Sequence, residues 1–216
     1  MRIAIPLFDR FTALDAVGPY EVLSRLPGAD VVFVAERPGV VRTDTGALGV
    51  AVDRSLEDVE RCDVVVVPGG PGTRAMLEPG PLHRWLTRVD QRTSWTTSVC
   101  TGSLILGSAG LLDGLDATTH WSARDLLAGL GARPVEQRFV VQGKVVTAAG
   151  VSAGIDMALW LAGRIAGDQV AQAIQLGIEY DPAPPYTAGT PHSAPPEIVE
   201  LVSGLSTDRE DRATTT

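Results

Sequence analysis

The amino-acid sequence predicts an α/β protein with a mainly parallel sheet, and three observations support this prediction. Short β-branched runs alternate with amphipathic segments along the chain. One run, CDVVVVPGG at 62–70, is continuously apolar at its centre, which is typical of a strand buried on both faces of a parallel sheet. A length of 216 residues with 44% hydrophobic content suits one domain with a sizeable core.

The elements follow in order along the chain. A first strand is predicted at 2–8, and a helix at 13–26 with Pro19 in its first turn, where proline is tolerated. The remaining strands are predicted at 30–36, at 39–53 as short strands around turns, at 62–70, at 94–99, and at 138–150 as an antiparallel pair. The remaining helices are predicted at 71–78, 81–91, 104–112, 122–130, 152–167 and 168–178.

We predict a single domain over residues 1–202. Its last part, EYDPAPPYTAGTPHSAPPE at 179–197, is rich in proline and is expected to run as an extended loop. Residues 203–216 end in STDREDRATTT, whose composition predicts a disordered tail.

The composition argues against a nucleic-acid partner and a membrane segment, and it indicates where the protein is located. A net charge of −8 without a basic cluster argues against nucleic-acid binding. The apolar runs are shorter than the roughly 18 residues that cross a bilayer, so we expect no membrane segment. Two cysteines and no secretory signal predict free thiols in the cytoplasm.

The segment SVCTG at 98–102 has the nucleophile-elbow pattern with cysteine as the nucleophile. Small residues are needed two positions before and after the nucleophile, and Ser98 and Gly102 meet that need. The following helix N-terminus is expected to lower the pKa of Cys100 and favour the thiolate. Cys62 begins a buried strand without a supporting motif and is interpreted as a packed, inert thiol.

A thiolate needs anion donors and a partner that handles protons. The backbone N–H groups of Gly70 and Thr101 are the candidate donors, one from each glycine-containing turn after a strand. Asp15, Glu21 and His120 are the candidate partners. Asp15 follows the first strand and could equally be a helix N-cap, and His120 could equally be a base or a capping residue.

No cofactor or metal is predicted. The sequence lacks a P-loop motif, and its three histidines show no metal-ligand spacing with one another or with cysteine. Gly70, Gly72 and Ala75 loosely match a dinucleotide-binding fingerprint. The acidic residue at the right distance, Asp90, falls at the end of a predicted helix and not of the second strand, so the match is weak.

Four segments together resemble the DJ-1/PfpI superfamily and, within it, the isonitrile hydratase branch: PGGPGT, TTSVCTGSLILGSAGLLDGLDATTHW, VTAAGVSAGIDMALWL and EYDPAPPY. The resemblance implies a flavodoxin-like, class I glutamine amidotransferase-like α/β/α sandwich and a homodimer. It also implies that Cys100 is paired with Asp15 and followed by a functional Thr101. The His-x-Glu of the amidotransferases is missing, because TAAGVSAGID stands in its place.

The resemblance further implies a cofactor-independent hydratase that converts isonitriles to N-substituted formamides. Two alternatives stay open. One is a ligand-sensing domain like that of AraC-type regulators, here without its DNA-binding half. The other is a glyoxalase or deglycase activity, as in other branches of the superfamily.

Overall fold

The computed structural model describes residues 1–204, and it confirms the predicted α/β/α sandwich. A seven-stranded sheet has the order β10-β11-β7-β6-β1-β2-β5 and is parallel except for β10. Its strands are β1 Arg2–Pro6, β2 Asp30–Ala35, β5 Arg54–Ser55, β6 Val64–Val67, β7 Trp95–Val99, β10 Phe139–Gln142 and β11 Val145–Ala148. Two small two-stranded sheets pair β3 Gly39–Arg42 with β4 Gly49–Val52, and β8 Asp116–Ala117 with β9 Arg133–Pro134.

Six α-helices flank the sheet: α1 Ala13–Leu23, α2 Pro81–Asp90, α3 Gly102–Ser108, α4 Arg124–Gly129, α5 Ala153–Ala166 and α6 Asp168–Gly177. Helices α1, α5 and α6 pack as one group, and α2, α3 and α4 as another. The four valines of β6 are fully buried, as their continuous apolar run predicts. The carboxyl ends of β1, β6, β7 and β11 therefore meet at one edge of the sheet.

Several boundaries differ from the sequence prediction. Helix α1 ends at Leu23 instead of residue 26, and Pro19 lies in its second turn instead of its first. Residues Pro71–Met76 form a 3₁₀ helix instead of the predicted helix at 71–78, and Gly72 lies so close to the loop after β1 that a Cβ there would come within 2.0 Å of the Asp9 carbonyl oxygen. Helix α3 begins directly after the elbow and ends at Ser108, followed by turns around Gly110 and Gly114, both at positive φ.

The chain divides into two compact units, of which the first is Met1–Ile178 and the second begins at Glu179. Within the described part of the second unit, the proline-rich segment is mainly irregular and residues 196–204 are helical. The predicted extended loop thus ends two residues earlier than expected. Most of the predicted tail, 205–216, lies outside the described residues. No helix among residues 1–204 combines the length and apolar character needed to span a bilayer.

Candidate active site

Cys100 lies on a sharp turn between β7 and α3, at the carboxyl edge of the sheet. Its φ of 57° is in the left-handed region, which is costly for a residue with a side chain and is typical of a nucleophile elbow. Gly102 permits the turn, because a Cβ there would come within 2.2 Å of the Val67 carbonyl oxygen on the neighbouring strand. The small residue that the motif requires after the nucleophile is therefore dictated by backbone contact.

The surrounding backbone fixes the strained turn. The Cys100 N–H donates to the carbonyls of Ala148 and Ala149, both at 3.0 Å, at the end of β11. The Cys100 carbonyl accepts from Ser103 Oγ at 3.2 Å and from Thr119 Oγ1 at 3.1 Å. These contacts hold the main chain of the elbow from both sides, so that the thiol is positioned before any ligand binds.

Asp15 is fully buried beside the thiol. It lies in the first turn of α1, and the position before this helix is Thr12, so Asp15 is not the N-cap. Its Oδ2 accepts from the Gly69 N–H at 2.9 Å, and its carboxyl interacts with the Cys100 thiol. Within residues 1–204 its Oδ1 has no hydrogen-bond partner, which leaves an oxygen for a proton or an incoming molecule.

The pair of acidic groups shifts both pKa values upwards. Burial raises the pKa of Asp15 to about 7, although hydrogen bonds from Gly69 and Cys100 oppose this, and the charge of Asp44 adds to it. Burial, followed by the nearby Asp15 carboxylate, raises the pKa of the Cys100 thiol. The expected lowering by the helix N-terminus is therefore wrong for the free protein, because desolvation outweighs it. The thiol therefore keeps its proton near neutrality, hydrogen-bonded to a carboxyl that can receive it.

Two backbone N–H groups face the sulfur of Cys100. One belongs to Thr101, as predicted from the sequence, and the other to Val151, just before α5. Both favour the thiolate, so they would stabilise negative charge on sulfur once the proton leaves. Val151 has a φ of 28°, a strained value for a β-branched residue, which aligns its N–H with the elbow. Sequence reasoning missed Val151 because nothing in TAAGVSAG signals this backbone conformation.

The glycine turn after β6 is bound to the elbow through Thr101. The Gly70 N–H donates to Thr101 Oγ1 at 2.9 Å, and this hydroxyl lies 3.2 Å from the Gly70 carbonyl oxygen. The Gly70 N–H, a predicted anion donor, is thus already engaged by a side chain. Gly69 packs against the site itself, since a Cβ there would lie 2.5 Å from the Thr101 nitrogen and 2.9 Å from Asp15 Oδ2.

The hairpin of β3 and β4 brings another carboxylate towards the site. Asp44 donates its N–H to the Phe11 carbonyl at 2.9 Å, and its Oδ2 accepts from Thr12 Oγ1 at 3.4 Å, just ahead of α1. Its negative charge raises the pKa of Asp15. The sequence showed no sign of this residue, because its proximity depends on how the hairpin packs.

The two other candidate partners of the thiol, His120 and Glu21, are engaged by neighbouring side chains. His120 caps the 3₁₀ turn Trp121–Ala123: its Nδ1 accepts from the Ser122 N–H at 3.4 Å and lies 2.8 Å from Ser122 Oγ. Its ring also packs over Gly150, where a Cβ would lie 2.9 Å from Cδ2. Burial lowers the pKa of His120, as do the charges of nearby arginines. Glu21 lies on α1 and is paired with Arg25 near the surface.

Cys62, which the sequence predicts to be an inert thiol, lies away from this edge. Cys62 is buried just before β6, at the opposite end of the sheet, and both cysteines are free thiols. His83 is held between Gly80 N–H at 3.0 Å and Ser108 Oγ at 2.7 Å, which explains its burial. In the described part of the chain, no three His, Cys, Asp or Glu side chains cluster as metal ligands would.

The fold and the elbow define a class of α/β sandwich proteins with a cysteine on a strand-to-helix turn. A family model for the DJ-1/PfpI family matches residues 1–163. An isonitrile hydratase from Pseudomonas putida is 42% identical over 200 residues, which cover 93% of this chain and 87% of that protein. The chain therefore belongs to the DJ-1/PfpI family.

Two further comparisons mark the range of the family. A THiJ/PfpI family protein from Pseudomonas syringae has a crystal structure that superimposes with a TM-score of 0.90, at 36% identity, over 97% of this chain and 89% of that chain. The HTH-type transcriptional regulator CdhR from Pseudomonas aeruginosa is 30% identical over 173 residues, covering 78% of this chain but 51% of the regulator. The same domain thus occurs in a named enzyme and in part of a regulator.

Proposed function

We propose that this protein is an isonitrile hydratase, which adds water to an isonitrile to give an N-substituted formamide. The observation that supports this most is the buried contact between Asp15 and Cys100, in which one carboxyl with a pKa of about 7 lies beside the nucleophile. Isonitrile hydration requires both a nucleophile and a proton donor at the same carbon. The similarity to the Pseudomonas putida enzyme supports the same reaction.

In the first step the Asp15 carboxylate accepts the thiol proton, and the Cys100 sulfur attacks the terminal carbon of the isonitrile. A carbon–sulfur bond forms, and the electron pair that develops on carbon takes the proton back from Asp15. The product of this step is a thioimidate in which carbon bears one hydrogen, one sulfur and a double bond to nitrogen. The proton has moved from sulfur to carbon through one carboxyl.

In the second step water attacks the thioimidate carbon. Asp15, again a carboxylate, accepts a proton from that water and passes it to the imidate nitrogen, which gives a tetrahedral intermediate with one hydroxyl group. The hydroxyl proton then moves to Asp15 as the carbonyl forms and the carbon–sulfur bond breaks, Asp15 returns this proton to the departing thiolate, and the formamide is released. Atoms balance as isonitrile plus water to formamide, and the enzyme returns to its starting state without oxidation or reduction.

The other site residues stabilise charge on the Cys100 sulfur or hold the main chain around it. Backbone N–H groups of Thr101 and Val151 stabilise the thiolate as it forms and as it leaves. The Thr101 side chain positions the glycine turn through its contact with Gly70, which keeps Gly69 against the Asp15 carboxyl. His120 fixes the loop that carries Thr119, whose hydroxyl binds the elbow carbonyl.

A substrate panel tests the assignment. Small aliphatic and aromatic isonitriles are supplied beside methylglyoxal, and formamides are identified by mass spectrometry. In ¹⁸O-labelled water the formamide oxygen should carry the label, because it comes from solvent. Turnover of methylglyoxal without any turnover of isonitriles would replace this proposal with the glyoxalase or deglycase alternative.

The similarity to CdhR supports a second candidate, a ligand-sensing domain. A sensor binds its ligand without consuming it. If isonitriles and methylglyoxal both stay intact while a small molecule raises the melting temperature of the protein, the sensor interpretation replaces the enzyme.

We further propose a cofactor-independent homodimer, as the family resemblance implies, and a cytoplasmic location, as the two cysteines predict. Sedimentation at micromolar concentration is expected to give twice the mass of one 22.7 kDa chain. A single-chain mass across the concentration range would contradict the dimer without affecting the chemistry. Full activity after exhaustive dialysis against a chelator is expected for a cofactor-independent enzyme.

A further inference from the structure

A pocket of about 540 Å³ opens at the amino edge of the sheet, at the opposite end from Cys100. Arg2 at the start of β1 and Asp30 at the start of β2 form one side. The segment before β6, including Cys62 and Asp63, lies between this side and the turn after α2. The volume falls within the range of roughly 300 to 1,000 Å³ that is usual for small-molecule sites. The proposed hydratase reaction makes no use of this pocket.

The acidic side chains of the pocket are both engaged by Arg2. Its guanidinium lies 2.8 Å from Asp30 Oδ2, and its backbone N–H donates to Asp63 Oδ2 at 2.6 Å. These contacts satisfy one oxygen of each carboxylate, and the guanidinium offsets the charge of Asp30.

Two further arginines line the same pocket. Arg61 and Arg92 are both exposed, and neither makes an ion pair with any residue of the described range 1–204. The pocket therefore holds three arginines against two aspartates, in a chain whose net charge is −8. An excess of positive charge at one concave place on an acidic protein attracts anions.

We propose that this pocket binds a small anion that carries both oxyanion and hydroxyl groups. Arg61 and Arg92 present planar guanidinium groups that bind carboxylate or phosphate oxygens in pairs. The carboxyl oxygens of Asp30 and Asp63 that Arg2 leaves free accept from hydroxyl groups. A sugar phosphate and a hydroxylated polycarboxylate share this chemistry, and both match the pocket volume better than a free phosphate ion does.

Titration calorimetry tests the site with two probes, ribose 5-phosphate and citrate, at low ionic strength. We expect binding of at least one probe with a dissociation constant near or below about 1 mM. Binding of the sugar phosphate alone identifies a phosphate site, and binding of citrate alone identifies a carboxylate site. Raising the salt from about 20 to about 200 mM should weaken either interaction, since the contacts are charged and exposed.

Substitutions locate the binding. Arg61→Gln and Arg92→Gln should each weaken it about three- to tenfold, and the double variant should lose it almost completely. Arg164→Gln removes another exposed arginine, which lies on α5 outside the pocket, and serves as the control with unchanged affinity. Circular dichroism verifies that each variant is folded.

The proposal is overturned if wild-type protein binds neither probe, or if the double variant binds as tightly as wild type. Isonitrile turnover is measured separately, and the proposed hydratase activity does not depend on either of these two binding results.

Discussion

The two cysteines of this protein lie at opposite ends of adjacent strands and differ in almost everything except burial. Cys62 precedes β6 at the amino edge, and Cys100 follows β7 at the carboxyl edge. Burial raises the pKa of Cys62 to about 12, and it also raises the pKa of Cys100. Only Cys100 has a buried carboxyl and two backbone N–H groups at its sulfur.

Under the proposed mechanism, the reactivity of Cys100 depends on the group that receives its proton and not on a low resting pKa. A buried thiol without an acceptor stays protonated and unreactive. A buried thiol beside a carboxyl with a pKa of about 7 can pass its proton on during the reaction and recover it afterwards. The four predictions that follow test this difference, from the largest expected effect to the smallest.

Exchanging sulfur for oxygen gives the largest contrast. Cys100→Ser should reduce isonitrile turnover by about 10³-fold or more, because an alcohol is a much weaker nucleophile beside a carboxylate of this basicity. Cys62→Ser makes the same chemical change at the inert thiol and should leave kcat within about twofold. Steady-state formamide production by both folded variants is the measurement. Similar losses in the two variants would remove the distinction between the thiols.

Removing the proton acceptor should have the next largest effect. Asp15→Asn keeps the shape of the side chain and its contact with the Gly69 N–H, but it cannot take or return a proton. We expect turnover to fall on the order of 10²-fold. His120→Gln is the control, since its capping role predicts a much smaller loss. A nearly normal Asp15→Asn beside an inactive His120→Gln would move the proton chemistry to the histidine.

The same Asp15→Asn substitution should stabilise the fold at alkaline pH. The pKa of Asp15 rises from an ordinary 3.8 in the unfolded chain to about 7 on folding, so below pH 4 the carboxyl is protonated in both states and its burial carries no charge penalty. Between pH 4 and 7 the unfolded chain loses this proton while the folded protein keeps it, so the wild type loses stability that the asparagine variant keeps, and the loss is complete above pH 7. We expect the variant to be more stable by about 2 to 4 kcal/mol at pH 8, with the difference vanishing towards pH 4.

Urea denaturation of both proteins across this pH range measures the difference, provided that both unfold in one transition. A stabilisation that is the same at pH 4 and pH 8 would contradict an unfavourable buried charge. A variant that is less stable at every pH would show that the carboxylate contributes favourably to the fold.

The smallest expected effect concerns the pH dependence of turnover. For an uncharged isonitrile, kcat/KM should rise with pH through about 7 and then level off, because Asp15 must be ionised to accept the thiol proton. Asp44→Asn removes a negative charge that raises the pKa of Asp15, so the rise should move to lower pH by a fraction of a unit. Asp53→Asn, at an exposed position between β4 and β5, should leave the profile in place.

The sequence was sufficient to predict the fold class and to place Cys100, Asp15 and Thr101 at one edge of the sheet. Parallel strands place the turns that follow them together, so β-branched runs and the elbow motif determine that grouping. Val151 and Asp44 escaped prediction because a strained φ and the packing of a hairpin are tertiary properties. The pKa of Cys100 was expected to be low because the helix N-terminus is visible in the sequence, whereas the burial that outweighs it is not.

The close packing of Gly69 against Thr101 and Asp15 has a consequence for protein engineering. Any side chain at position 69 would collide with main-chain and carboxyl atoms, so this position cannot be used to reshape specificity. The side chain of residue 100, by contrast, extends from a main chain that is fixed by four hydrogen bonds made through its own N–H and carbonyl. A selenocysteine introduced there would keep the same backbone donors, which makes this elbow a suitable scaffold for installing unnatural nucleophiles.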